Sequence, residues 1–165
     1  MATTGDNNEL PEGFTLSLAL VDAIPVALFC ASAVVFGTQV GSPLFIVGAA
    51  LAFLGGAGKV SWKLLIALAQ RNYPVLSKQM RVTMPIGFVL MIVGAALHVS
   101  EAGAALVRLA SLPSVILVIA WIGCMCAMGY FACHRNQLDA RSNWIEQLTN
   151  ATGQLCLLLA LLLGK

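Results

Sequence analysis

Residues 14–37 read FTLSLALVDAIPVALFCASAVVFG, an apolar run whose only charge is Asp22. About 20 such residues carry a helix across the roughly 30 Å hydrocarbon of a bilayer. The run is continuous rather than alternating, so it predicts a membrane-spanning helix and not a barrel strand. Runs of the same kind follow at 44–69, 82–99, 112–133 and 144–163. The whole composition agrees: 59% of the 165 residues are hydrophobic and 10% are charged, with a mean hydropathy of +0.90. An ordinary soluble domain is about one quarter charged and could not hide this much apolar surface. The expected fold is therefore all-α, a polytopic membrane bundle of about five transmembrane helices forming a single domain over 14–165.

Residues 1–13 carry Asp6, Glu9 and Glu12 and no base. A cleaved secretory signal needs a basic region ahead of its apolar stretch, so this segment is expected to be a flexible tail and the first run a retained span. The net charge of +2 comes from bases scattered over the loops, a pattern that gives nucleic acid no footprint. Cys30, Cys124, Cys126, Cys133 and Cys156 all lie in or beside apolar runs, where cysteine acts as a small hydrophobe rather than half of a disulfide framework.

Lysine and arginine favour the cytoplasmic side of short loops. Counted this way, Arg71, Lys78, Arg81, Arg135 and Arg141 share one side, with Lys63 at its edge, while Arg108 and Lys165 share the other. The expected topology has the N-terminus in the cytoplasm and the C-terminus outside, in a plasma (inner) membrane. The second run is long for one crossing, so Trp62 and Lys63 are expected at the cytoplasmic interface, with 64–70 an extension that could lie along the surface. Residues 101–110 could form a second short interfacial helix on the outer side. Pro43, Pro85 and Pro113 lie near helix starts, where proline is tolerated. Pro25 lies inside the first run and is expected to loosen it. Gly48, Ala52 and Gly56, and likewise Gly123 and Ala127, recur at helical spacing and would let backbones approach. Five short spans with such faces suggest a homo-oligomer or a subunit of a larger complex.

Charges at membrane depth are expensive and mark function by default. Asp22 and Lys59 are placed by helix rise in the cytoplasmic half, where they could meet. Asn143, Gln147, Asn150 and Gln154 stand at i, i+4, i+7 and i+11 of the last run, one stripe of a helix. Two readings stay open. In one, Asp22, Lys59, Gln147, Asn150 and Gln154 line a cytoplasm-facing cavity that binds or transports a polar or amphipathic small solute. In the other, the same residues fasten helices in a non-transporting scaffold, a lipid-binding protein or an accessory subunit. His98 and Glu101, with Arg108 nearby, read as a solvated outer helix end or a pH-sensitive gate.

Other chemistry is poorly supported. Cys124, Met125, Cys126, Met128, Cys133 and His134 offer soft copper ligands, but Cys124 and Cys126 point about 200° apart on a helix. Residues 55–61, GGAGKVS, lack the first glycine and the hydroxyl residue of a phosphate loop. No serine elbow, zinc pair or Cys-x-x-Cys is present, so nothing argues for an enzyme, and no metal or cofactor is expected.

Overall fold

The computed structural model describes residues 15–71, 73–134 and 140–164. The tail 1–13, Arg135 and Lys165 lie outside the described residues. Within them are seven helices and no strand: α1 (Leu16–Val40), α2 (Pro43–Ala69), α3 (Pro74–Lys78), α4 (Met80–Leu97), α5 (Val99–Leu109), α6 (Ser114–His134) and α7 (Ala140–Leu163). The all-α membrane bundle is what the composition demands. Four segments are long and apolar enough to cross a bilayer: α1, α2, the α3–α4 stretch Pro74–Leu97, and Ser114–Phe131 of α6. The fifth long helix, α7, has the length but not the apolarity, because its first half carries the polar stripe. That stripe turns inward, with Asn143, Glu146 and Gln147 buried.

Local signals set the helix ends. Thr15 caps α1 by accepting from the Leu18 amide at 3.3 Å. Gly41, at φ +68°, ends it in the left-handed conformation that glycine adopts freely. Ser42 then caps α2, accepting from Phe45 N at 3.4 Å, with Pro43 in the first turn. Helix α1 runs through Pro25 without a break. Helix α2 likewise continues unbroken through Ala69, so 64–69 is the last part of a spanning helix and not a separate surface segment. The 101–110 expectation corresponds to α5, which buries Ala102, Ala105 and Leu109 and exposes Glu101 and Arg108. The five-residue α3 has no counterpart in the sequence reading.

The long helices pack in the row α4–α2–α1–α7–α6, while α5 touches α1, α4 and α6. The two end helices of this row, α4 and α6, share no packed face, so the row is an arc rather than a closed ring. Its tightest seam is α2 against α4. A Cβ on Gly48 would come within 2.6 Å of the Gly87 carbonyl oxygen, and one on Gly87 within 2.7 Å of Ala52 N. Backbones this close explain the small residues of α2. A Cβ on Gly123 of α6 would meet nothing within 4 Å, so its expected close approach is not made among the described residues. Along α4 and α6, Ile86, Val89, Ile92, Ile116, Ile119 and Ile122 are exposed, which suits contact with lipid tails.

Candidate functional site

Two layers of buried polar groups cross the arc. The lower one lies near the end where α1 and α7 begin and α2 finishes. Asp22 stands six residues from the start of α1, and Lys63 six residues from the end of the antiparallel α2. Each is therefore about 9 Å from that end at 1.5 Å per residue. They meet there as an ion pair, Lys63 Nζ to Asp22 Oδ2 at 3.1 Å. Lys63 Nζ also donates to Asn143 Oδ1 at 3.2 Å. Lys63 is 1% exposed, Asp22 4% and Asn143 4%. Three helices, α1, α2 and α7, are thus joined at one ammonium.

The sequence-level pairing of Asp22 with Lys59 is corrected here. Since α2 stays helical through Ala69, Lys63 is buried at the depth of Asp22, and Lys59 lies a turn higher. Lys59 is half-buried and within electrostatic range of Lys63. Glu146, also in range of Lys63, is buried at 7% exposure, and its Oε1 has no hydrogen bond among the described residues. An eye fixed on amides passes over Glu146, although it stands at i+3 from Asn143 on the same stripe. Gln147 is buried beside it, and Asn150 is half-buried.

The upper layer adjoins a cavity of about 390 Å³ held in the concave side of the arc. Its walls are largely aromatic and aliphatic, including Phe29, Phe36, Phe45, Phe88 and Met91, with Leu106 and Leu109 of α5 at one end. Phe29 packs edge-on to Phe88, ring centres 5.9 Å apart, and Phe36 tilts against Phe45 at 5.3 Å. Three polar side chains break this apolar lining: Ser32 of α1, Trp121 of α6 and Gln154 of α7. Ser32 Oγ, Trp121 Nε1 and Gln154 Oε1 are all buried, and all lack a hydrogen-bond partner among the described residues. By helix rise they lie about 12, 10 and 13 Å below the ends of their helices, in one layer.

Of the five residues singled out on sequence, only Gln154 lines this cavity. Asp22, Lys59, Gln147 and Asn150 line neither it nor the smaller hollow of about 280 Å³ between α1 and α2. Ser32 and Trp121 are additions. Trp121 did carry a signal: tryptophans of membrane helices concentrate at the two interfaces, and this one lies well inside its span.

Polar groups at the upper end have local partners. Ser114, fully buried, donates to the Ala160 carbonyl at 3.0 Å and ties α6 to α7. His98 and Glu101, within electrostatic range of each other, both make local bonds. His98 Nδ1 lies 3.1 Å from the Gly94 carbonyl, and Glu101 accepts from the Ser100 hydroxyl at 2.5 Å. That hydroxyl is the main cause holding the Glu101 carboxyl below its ordinary range. Among the described residues no cluster of His, Cys, Asp and Glu is suited to a metal ion. No protein-family model, curated protein or solved structure matches the chain.

Proposed function

We propose that this integral membrane protein binds an amphipathic, lipid-like molecule in the cavity between α4 and α6, entered sideways from the bilayer. The carrying observation is the cavity itself, about 390 Å³ and almost wholly apolar, in an arc whose end helices leave it without a packed wall. That volume falls within the range of about 300–1,000 Å³ typical of ligand sites. Apolar walls reward a hydrocarbon chain and offer nothing to a hydrated ion. This reading moves solute handling away from the charged layer, which fastens α1, α2 and α7. It keeps the orientation drawn from the loop bases, with the charged layer toward the cytoplasm and the cavity toward the outer half of a plasma (inner) membrane.

Native mass spectrometry of protein released from membrane vesicles tests the reading. The wild type is expected to retain one amphiphile per chain. Val118→Phe, which puts a ring into the cavity from α6, should abolish the adduct while thermal unfolding stays within a few degrees of wild type. A bare wild-type chain, or an adduct unchanged by Val118→Phe, contradicts the reading. The same spectra count chains per particle and so test the association expected from sequence.

A further inference from the structure

We propose that Ser32, Trp121 and Gln154 form a recess for the hydroxyl of a neutral, single-chain amphiphile, such as a long-chain alcohol, whose tail fills the apolar cavity. The inference rests on the cavity being a ligand site, as argued above, and adds the chemistry of its occupant.

Their unpaired atoms are complementary in kind. An indole N–H only donates, an amide oxygen only accepts, and a serine hydroxyl does both. One ligand hydroxyl matches that set, since it accepts from Trp121 Nε1 while donating to Gln154 Oε1 or Ser32 Oγ. A terminal methyl would leave all three atoms unpaired, and each unpaired buried group carries a penalty. The recess also selects against charge. No lysine, arginine or histidine lines the cavity, and Arg108 on the neighbouring α5 is exposed, its Nε donating to the Ala104 carbonyl at 3.3 Å. An ionised carboxylate or phosphate would be buried without a counter-charge, which is far costlier than burying a hydroxyl.

Depth gives the site its pull. A free hydroxyl about 12 Å below the helix ends finds no partner in lipid tails, so the bilayer holds such heads at its surface. The recess supplies partners at that depth and lets head and chain enter together. A cavity near the lower limit of ligand sites takes one chain, which disfavours two-chain lipids.

The full chain in phosphatidylcholine nanodiscs is photolabelled with a 16-carbon alcohol bearing a mid-chain diazirine, and labelled peptides are mapped by mass spectrometry. Unlabelled 1-hexadecanol, hexadecane and hexadecanoate at pH 9 then compete. Labels are expected on α1, α6 and α7, with hexadecanol competing at concentrations at least tenfold lower than hexadecane, the preference that pairing one buried group supplies. Hexadecanoate should compete no better than hexadecane. In Trp121→Phe, and in the double variant Ser32→Ala plus Gln154→Leu, the preference for alcohol should fall to about twofold or less while hexadecane competes as before. Equal competition by hexadecane and hexadecanol in wild type overturns the hydroxyl recess and leaves the apolar site standing. Stronger competition by hexadecanoate overturns the selection against charge. Labelling absent from these helices overturns the site together with its occupant. The wild-type series decides even where a variant fails to fold.

Discussion

Ser32 and Asp22 lie on the same helix about 15 Å apart, ten residues at 1.5 Å each, and their surroundings are opposite. Around Asp22 the charges find one another: the ammonium of Lys63 meets a carboxylate and an amide from two other helices, and neither hollow reaches them, although Glu146 Oε1 nearby lacks a hydrogen bond among the described residues. Around Ser32 the polar atoms of three helices have no partner among the described residues and stand beside an apolar void. Buried polar groups are normally satisfied, and exceptions need a reason. Pairing in a dry layer is reason enough for fastening. Unpaired groups grouped at a cavity point to a partner that comes from outside the chain. Charge, the louder feature on sequence, falls in the layer that joins α1, α2 and α7, and the quieter neutral groups fall beside the cavity.

The contrast can be broken by mutation, beginning with the largest effect. Lys63→Ala leaves Asp22 buried without its counter-charge and is expected to cost about 3–5 kcal/mol, with Asp22→Ala costing a similar amount. Replacing both by leucine should recover most of the loss, since a buried ion pair exchanged for well-packed apolar groups is often near neutral. Reversible unfolding in mixed micelles reads these values, and strictly additive losses would separate the two charges. In the upper layer the sign should differ. Gln154→Leu removes an unpaired buried oxygen and is expected to raise stability by up to about 1–3 kcal/mol, with Ser32→Ala giving less. Losses of several kcal/mol there would mean that the atoms have structural partners. The smallest effect is expected at Lys59, half-buried and outside the ion pair. Lys59→Ala should change stability by less than about 1 kcal/mol, and a loss equal to that of Lys63→Ala would relocate the fastening point.

Much of the fold was legible because a spanning helix needs a long run nearly free of charge, and such runs are hard to disguise. Each of the five long helices begins and ends within four residues of its expected bounds. The five-residue α3, opened by Pro74, is too short to show a period. At the site, Asp22 was legible through the cost of burying it, but its partner was not. With Lys63 taken as the end of the span, Lys59 falls at the depth of Asp22; because the helix continues to Ala69, Lys63 does. Ser32 gives no periodic or electrostatic signal within an apolar run. The cavity arises from the order in which helices pack, α1 between α2 and α7 with α4 and α6 left apart, and no property of a single helix encodes that order.

The division between a fastening layer and a binding layer is tested most directly by one crossed measurement. Thermal unfolding in nanodiscs is recorded with and without saturating 1-hexadecanol for the wild type, for Asp22→Leu plus Lys63→Leu, and for Ser32→Ala plus Gln154→Leu. A ligand at a hundred times its Kd stabilises the form that binds it by about 2.7 kcal/mol. The wild type and the charge-free double variant should both show that rise, because neither charge touches the cavity. The Ser32–Gln154 double variant should be at least as stable as wild type without ligand, and at the same alcohol concentration its rise should be smaller by about 1 kcal/mol, the value of a fivefold loss of affinity. If the alcohol response disappears with Asp22 and Lys63 and survives the loss of Ser32 and Gln154, the two layers have been assigned the wrong way round.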